Sequence, residues 1–239
     1  MAVFQFKQFA VEQDKCAMKI GTDGVLLGAW AKLGEYPGTI LDVGAGTGLV
    51  ALMAAQRSDA PTIDAVEIDD DAHEQCVENF EASNWSDRLF CYHAEFTEFV
   101  AEMYEEEEVY DVIISNPPFY AEDYSSGNTQ RDIARLNEAL PFEDLIEGTS
   151  LLLATEGVFN VIIPYKEEVV FIETAAKFNM YPFKMTRVKG NPDAEVKRSL
   201  LAFSFQEQDC EMDELTIELA RHEYTPEYVN LTREFYLKM

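Results

Sequence analysis

The chain has 239 residues, and its 45 acidic against 18 basic residues give a formal net charge of −27 at pH 7. This length suits a single α/β domain with a substantial core, and no apolar run reaches the roughly 18 residues of a membrane helix. Because the N-terminus lacks the basic-then-apolar layout of a secretory signal and the four cysteines form no C-x-x-C pair, we expect a cytoplasmic protein with reduced thiols and no metal site.

The N-terminal residues predict an extension ahead of the main fold. Val3-Phe4-Gln5-Phe6 alternates aromatic with other residues, as a short strand does. Only residues 1–38 precede the first glycine motif here, so we do not expect a separate helical domain ahead of it.

A glycine-rich turn follows the first core strand. The mostly apolar run 39–43 predicts the strand, and a helix is predicted from about 47 to 57. Between them the alternating glycines are Gly44, Gly46 and Gly48. Glycine permits positive φ and the close approach of a ligand, and the start of the helix offers free N–H groups. The turn is therefore predicted to bind a ligand.

The spacing of these glycines argues against a dinucleotide. That fingerprint needs G-x-G-x-x-G, and Leu49 occupies the place of its third glycine. Asp42, just before the turn, favours a ligand with a cationic amino-acid end.

Strands and helices then alternate. Strands are predicted at 62–69, 89–93 and 110–115, and helices at about 70–83 and 96–105. Alternation of this kind predicts a parallel sheet with helices on both faces and ligands at the carboxyl ends of the strands.

Two of those strand ends carry acidic residues. Glu67 follows the glycine turn by about 20 positions, which is typical of an acid that binds ribose hydroxyls. Glu95 and Phe96 follow the third strand and are expected to border an adenine ring.

The fourth strand ends in Asn116-Pro117-Pro118-Phe119. Proline lacks an N–H and fixes its own φ, so the backbone carbonyls here can point away from the sheet ladder. With the side-chain oxygen of Asn116 they offer two acceptors for the two hydrogens of an NH2 group. Phe119, or Tyr120 beside it, can stack on the attached ring. A Pro-rich turn that merely ends a strand is the simpler alternative, but the glycine motif upstream favours an amine site.

The segment from 120 to 137 is too polar for a core and too long for a simple connection, so it predicts a lid or substrate loop in which Arg131 and Arg135 meet phosphates. A surface excursion without function is the alternative. Later helices are predicted at about 141–154, 166–178 and 226–236, and later strands at 157–164, 180–188, 198–206 and 215–219.

The paired glycine and Asn-Pro-Pro-Phe motifs resemble the S-adenosylmethionine-dependent methyltransferases, in particular the amino-methylating branch. The segments 6–9, 14–30, 199–204 and 234–237 are similar to the bacterial tRNA(Val) adenine-N6 methyltransferases, which modify adenine 37 next to the anticodon. The likeness spans nearly the whole chain and weakens at about 120–150 and 206–225.

The resemblance implies a Rossmann-like class I methyltransferase fold: an α/β domain whose seven-stranded, mostly parallel sheet has an antiparallel last strand and helices on both faces. It divides the single domain 1–239 into a catalytic core at 39–206, an extension at 1–38 that forms part of the cofactor pocket, and a strand and helix at 207–239. It also implies S-adenosyl-L-methionine as cofactor and the anticodon stem-loop of a tRNA as partner of a monomer.

The site residues that follow fall into three groups. The catalytic residues are Asn116, Pro117, Pro118 and Phe119. The cofactor-binding residues are Lys19, Gly21, Thr22, Asp23, Asp42, Gly44, Gly46, Gly48, Glu67, Ile68, Glu95, Phe96 and Asn116. The substrate-binding residues are Phe119, Tyr120, Arg131, Arg135, Lys189 and Lys197.

The charge balance is unusual for a protein that holds RNA, because phosphate contacts normally supply much of the affinity. Two groups of basic residues, one near the N-terminus and one between the late strands, could form a basic rim at the mouth of the site, or they could be ordinary solvated side chains; they are Lys7, Lys15 and Lys19, and Lys184, Arg187, Lys189, Lys197 and Arg198. Other planar amines remain open as substrates: guanine N2 of rRNA, adenine N6 of DNA and glutamine N5 of a protein. A nucleoside-binding or RNA-binding protein without activity is a further alternative, although Asp42, Glu67 and Asn116 are all present.

Overall fold

A computed structural model describes residues 3–117 and 140–238 of the chain. The strands are β1 (Val3–Gln5), β2 (Ala10–Glu12), β3 (Thr39–Val43), β4 (Thr62–Glu67), β5 (Leu89–His93), β6 (Tyr110–Ser115), β7 (Leu153–Pro164), β8 (Tyr181–Lys189), β9 (Val196–Ser204), β10 (Glu211–Thr216), β11 (Glu218–Ala220) and β12 (Glu223–Tyr224). The helices are α1 (Thr22–Trp30), α2 (Leu49–Arg57), α3 (Asp70–Glu81), α4 (Phe96–Glu105), α5 (Phe142–Leu152), α6 (Glu168–Lys177) and α7 (Pro226–Thr232), with a short 3-10 helix at Tyr165–Glu167.

Eight of these strands form one sheet in the order β10-β8-β9-β7-β6-β3-β4-β5. Within it β9 is antiparallel to both neighbours, and the pairings of the other strands are parallel. The Rossmann-like class I arrangement expected from the sequence is thus confirmed. The expected count of seven strands is wrong by one, because β10 pairs with β8 as an additional edge strand.

The last part of the chain accounts for this difference. The strand expected at 215–219 begins earlier, at Glu211, since the acidic residues of β10 lie beside lysines of β8 that stabilise an otherwise polar edge. The final helix is shorter than the expected span of 226–236. It ends at Thr232, after which Tyr236 pairs with Phe6 and joins the two ends of the chain.

Apolar side chains on both faces of the central strands hold the helices in place. In β3, Ile40 belongs to one core cluster and Leu41 to the other, as expected of a strand covered on both sides. The first cluster contains buried residues of α1, α2, α3 and α7, and the second contains those of α4, α5 and α6. This two-sided burial accounts for the continuous apolar runs in the sequence. No helix of the described residues is long and apolar enough to cross a membrane.

β3 and β6 are neighbours, but the strands that follow them lie in opposite directions across the sheet. β4 follows β3 toward the β5 edge, and β7 follows β6 toward the β10 edge. In an open α/β sheet such a reversal opens a crevice at the carboxyl ends of the two strands. Ser115, the last residue of β6, closes the base of this crevice by donating its hydroxyl to the carbonyl oxygen of Val43 at 2.9 Å. The glycine turn and the Asn-Pro segment begin at this point.

Candidate active site

The glycine turn takes a backbone conformation that glycine adopts without strain. Gly44, Gly46 and Gly48 have φ of 72°, 54° and 76°. A Cβ added at Gly44 or at Gly46 would meet no described heavy atom within 4 Å. The backbone at these two positions therefore borders open space, which a ligand could occupy in close contact with the chain.

Gly48 is glycine for a different reason. A Cβ at this position would lie 2.6 Å from Cε1 of Phe80 and 2.8 Å from Sγ of Cys76, both on α3. The described contacts of Gly48 thus serve packing between the turn and α3, whereas Gly44 and Gly46 face the crevice. Its expected role in binding a cofactor stays a prediction.

Glu67, at the end of β4, organises the turn through both of its carboxylate oxygens. Oε2 accepts from the backbone N–H of Gly46 at 2.7 Å, and Oε1 accepts from the N–H groups of Ile68 and Asp69 at 2.9 and 3.0 Å. The carboxylate therefore lies beside the open part of the turn. Its binding of ribose hydroxyls stays a prediction.

Asp42 is buried beneath the turn, with 1% of its surface exposed. Its Oδ2 accepts from the N–H of Ala51 in the first turns of α2 at 3.0 Å. Burial raises the pKa of this carboxyl to about 7, against the lowering effect of the Ala51 hydrogen bond and with a further increase from Glu67. In the described structure Asp42 ties β3 to α2, and its contact with a cationic ligand stays a prediction.

Asn116 lies at the mouth of the crevice, partly exposed, and Pro117 after it is buried. A Cβ at Gly24 would lie 3.8 Å from Nδ2 of Asn116 and 3.1 Å from Cδ2 of Leu49. The first turn of α1 therefore packs where β6 ends and α2 begins. This proximity could not be predicted from the sequence, because glycine has no side chain whose chemistry would indicate a neighbour.

The other expected cofactor residues of the N-terminal extension lie around the start of α1. Gly21 is its N-cap residue, Thr22 and Lys19 are exposed, and Oδ2 of Asp23 accepts from Nε of Arg198 at 2.8 Å. This ion pair joins α1 to β9 at the same edge of the sheet.

The ends of β4 and β5 contribute two exposed side chains and one buried ring. Ile68, directly after β4, is 44% exposed, and Glu95 is the exposed N-cap residue of α4 and accepts from the hydroxyl of Thr97. Phe96 packs against Gly148 of α5 and belongs to the second core cluster. Its ring lies in the core because Phe96 is the first of four buried residues on the apolar face of α4. Its contact with the adenine ring of a cofactor stays a prediction.

The expected substrate residues are only partly described. Pro118, Phe119, Tyr120, Arg131 and Arg135 lie outside the described residues. Lys189 pairs with Glu214 at 2.8 Å, whereas Lys197 is 70% exposed and has its acidic neighbour, Glu195, at 4.0 Å.

The predicted basic rim is largely neutralised by neighbouring acids. Lys184 pairs with Glu211 at 2.7 Å and with Asp213 at 3.6 Å, and Arg187 pairs with Glu168 at 2.6 Å. These ion pairs could not be predicted from the sequence, because they depend on which strand lies next to β8. Contacts of Lys189 and Lys197 with substrate stay a prediction.

Comparison with known proteins agrees with this geometry. Residues 21–163 match the family model of the methyltransferase small domain. The chain is 61% identical over 238 residues to the tRNA1(Val) (adenine(37)-N6)-methyltransferase of Flavobacterium johnsoniae, covering 99% of this chain and 100% of that one. A protein of the same name from Bacteroides fragilis is 46% identical, with 99% and 98% covered.

Solved structures share the fold at low identity. Protein Atu636 of Agrobacterium tumefaciens, described as a predicted O-methyltransferase, aligns with a TM-score of 0.69 at 19% identity, covering 89% of this chain and 96% of that one. The ribosomal protein L11 methylase of Lactobacillus delbrueckii aligns with a TM-score of 0.53 at 18% identity, covering 77% of each chain. Sheet, crevice and sequence identity lead to one conclusion: the chain is a member of the methyltransferase small domain family and, within it, belongs to the tRNA1(Val) (adenine(37)-N6)-methyltransferases.

Proposed function

We propose that the chain methylates the exocyclic N6 amine of adenine 37 in the anticodon loop of tRNA1(Val), with S-adenosyl-L-methionine as the methyl donor. The observation that carries the proposal is the position of Asn116, at the mouth of a crevice that also contains the open glycine turn. The names of relatives that are 46 to 61% identical over almost the whole chain support the choice of tRNA and of position 37.

The residues around the glycine turn fit the proposed cofactor. Gly44 and Gly46 border space that no described atom fills, and Glu67 carries its carboxylate beside them, suited to ribose hydroxyls. Asp23, Ile68 and the exposed Glu95 surround the same edge of the sheet. S-adenosylmethionine supplies a methyl group on a positively charged sulfur when it is bound.

Asn116 and Pro117 provide the groups that orient the amine. The lone pair of an adenine N6 is delocalised into the ring, so this amine is a poor nucleophile. Acceptors from the Asn116 side chain and the Pro117 carbonyl would draw N6 toward tetrahedral geometry and localise the lone pair. The nitrogen gains positive charge as the bond forms, so the same acceptors stabilise the transition state more than the ground state.

Proton removal needs no dedicated base in this scheme. Nε2 of His73 contacts the carbonyl oxygen of Cys91 in β5, and Nε2 of His93 contacts that of Ile68, directly after β4, so both rings are engaged with backbone groups. The cationic product nitrogen is acidic enough to release its proton to water. Orientation and electrostatics therefore account for the rate.

The remaining aspects of the proposal follow from this activity. The extension at 1–38 completes the cofactor pocket, supported by the position of Gly24, where an added Cβ would lie 3.8 Å from Nδ2 of Asn116. The protein acts as a cytoplasmic monomer on the anticodon stem-loop, where the target base is splayed out of its stack. Stacking of that base on Phe119 is part of the proposal.

The decisive experiment uses bulk tRNA that lacks the modification. After incubation with the protein and S-adenosylmethionine, mass spectrometry should find N6-methyladenosine at position 37 of tRNA1(Val). Methyl groups on guanine N2, on DNA adenine or on a protein glutamine would contradict the proposal. Tight binding of S-adenosylmethionine without turnover on any of these substrates would instead support a binding protein without activity.

A further inference from the structure

An aromatic ring and a guanidinium group are stacked at the carboxyl edge of the sheet, beside the crevice. Tyr165 directly follows β7, and Arg187 lies near the end of β8. The guanidinium carbon is 5.3 Å from the centroid of the tyrosine ring. Their exposed fractions are 39% for Tyr165 and 38% for the side chain of Arg187, so the pair presents a partly open, planar surface to solvent.

A buried carboxylate fixes this pair in place. Glu168 is 3% exposed and accepts from Nε and Nη2 of Arg187 at 3.2 and 2.6 Å, and from the hydroxyl of Ser199 at 2.5 Å. Burial alone would raise the pKa of Glu168, but the hydrogen bonds from Arg187 and Ser199 hold it below the ordinary value. The guanidinium plane is thus oriented before any partner binds.

The register of the sheet places this pair next to Asn116. Ser115 of β6 pairs with Val161 of β7, and β7 continues for three residues to Pro164, immediately before Tyr165. With about 4.8 Å between strands and about 3.3 Å per residue, Tyr165 lies roughly 11 Å from Asn116. A nucleotide adjacent to one held at Asn116 is within reach of this surface.

The local charge favours a base over a phosphate. The cations here are Lys166, Lys184, Arg187 and Lys189, and the neighbouring carboxylates are Glu167, Glu168, Glu211, Asp213 and Glu214. Five negative groups against four positive ones leave no excess charge for a phosphate. Arg187 also borders a cavity of about 360 Å³ with Met185, Met212, Asp213 and Glu214, which has apolar side chains beside its charges. A flat nucleobase can use the π-face of such a surface without needing net positive charge.

We propose that Tyr165 and Arg187 form a stacking platform for a nucleobase next to the methylated adenine. This inference rests on the proposed RNA substrate and adds to it a contact that selects unpaired, splayed nucleotides. It also explains how a protein of net charge −27 holds RNA near its active site: part of the binding comes from stacking, which does not require a basic surface.

The first test replaces the ring. Tyr165→Ala should weaken binding of an anticodon stem-loop RNA by about 10-fold in filter-binding assays, the range of one lost base–aromatic stack. Tyr165→Phe should bind as the wild type does. Tyr104→Ala removes a 60% exposed tyrosine from the end of α4 and serves as the matched surface control. Calorimetry should show unchanged S-adenosylmethionine affinity, and thermal unfolding should show a folded protein in each variant.

A second measurement identifies the base that stacks. RNAs with an abasic nucleotide on either side of the target adenine are compared on the wild type and on Tyr165→Ala. At the stacked position the abasic RNA should lose about 10-fold in affinity for the wild type and nothing further for the variant. Additive losses at both positions, or wild-type binding by Tyr165→Ala, would overturn the platform.

The RNA is first shown to be methylated by the wild-type protein. If it is not, the proposed function fails and the platform with it. If it is methylated but Tyr165→Ala behaves as the wild type, only the platform fails. Arg187→Lys provides a second variant that retains the charge beside Glu168 and loses the planar fork; it should weaken RNA binding in the same direction as Tyr165→Ala.

Discussion

Carboxylates have different roles in two regions of the molecule. One region is the crevice between β3 and β6, and the other is the outer edge formed by β8, β9 and β10. In the crevice, carboxylates bind backbone N–H groups: Glu67 holds Gly46, and Asp42 holds Ala51. At the outer edge, carboxylates bind cations of the next strand, as Glu214 binds Lys189. The acids of the crevice hold the backbone of the turn and of α2, whereas those of the edge neutralise basic side chains that the sequence predicts could contact RNA. A count of basic residues therefore says little about where a polyanion binds.

The largest effect is expected from the amine-orienting residue of the crevice. Asn116→Ala should leave S-adenosylmethionine affinity nearly unchanged and lower single-turnover methyl transfer by about 100-fold or more, because a transition-state acceptor is lost. Rapid-quench measurements with saturating RNA separate this step from binding. A variant that methylates at the wild-type rate would show that Asn116 does not act on the amine.

The buried carboxyl of the crevice should make stability depend on pH. Burial raises the folded-state pKa of Asp42 to about 7, above its ordinary value of 3.8. The folded state therefore holds this proton more tightly, so its contribution to stability is fully present below pH 3.8 and is lost as the pH rises to about 7.

Asp42→Asn keeps an oxygen for the Ala51 N–H and cannot ionise. The difference in unfolding free energy between variant and wild type should grow in favour of the variant across this pH range, by up to about 4 kcal/mol. Urea titrations at several pH values provide the measurement. A constant difference from pH 4 to pH 8 would mean that Asp42 ionises as freely in the folded protein as in the unfolded one.

Two glycines of the same turn separate ligand binding from packing. Gly46→Ala should weaken S-adenosylmethionine binding by about 10-fold, since the new methyl group enters the space left for the ligand, and its positive φ should cost roughly 1–2 kcal/mol of stability. Gly48→Ala should lower stability more, by roughly 2–4 kcal/mol, because its Cβ overlaps α3 in addition to the cost of its positive φ. Calorimetry and thermal unfolding of both variants give the comparison. Equal losses of affinity and stability in the two would contradict the assignment of open space to one glycine and packing to the other.

The sequence predicts the crevice better than the edge for a physical reason. The glycine turn and Glu67 belong to a local strand–turn–helix pattern, and most strand and helix positions follow from periodicity. Contacts such as Gly24 with Asn116, or Arg187 with Glu168 and Tyr165, depend on which strands lie side by side. The pairing of β10 with β8 changed both the strand count and the expected basic rim, because alternating acids in a polar segment give only a weak strand signal.

The smallest effect concerns the two lysines expected to contact RNA. Lys197 is 70% exposed with its acidic neighbour at 4.0 Å, whereas Lys189 is 24% exposed and paired with Glu214 at 2.8 Å. Lys197→Glu should therefore weaken RNA binding a few-fold at low salt, by losing an attraction to phosphate that salt screens.

Lys189→Gln removes a charge that Glu214 already balances, and we expect a smaller loss from it. Filter binding across a salt series compares the two, and the slope should fall for Lys197→Glu more than for Lys189→Gln. If the Lys189 variant shows the larger loss, the ion pair with Glu214 opens when RNA binds, and the outer edge is a phosphate site after all.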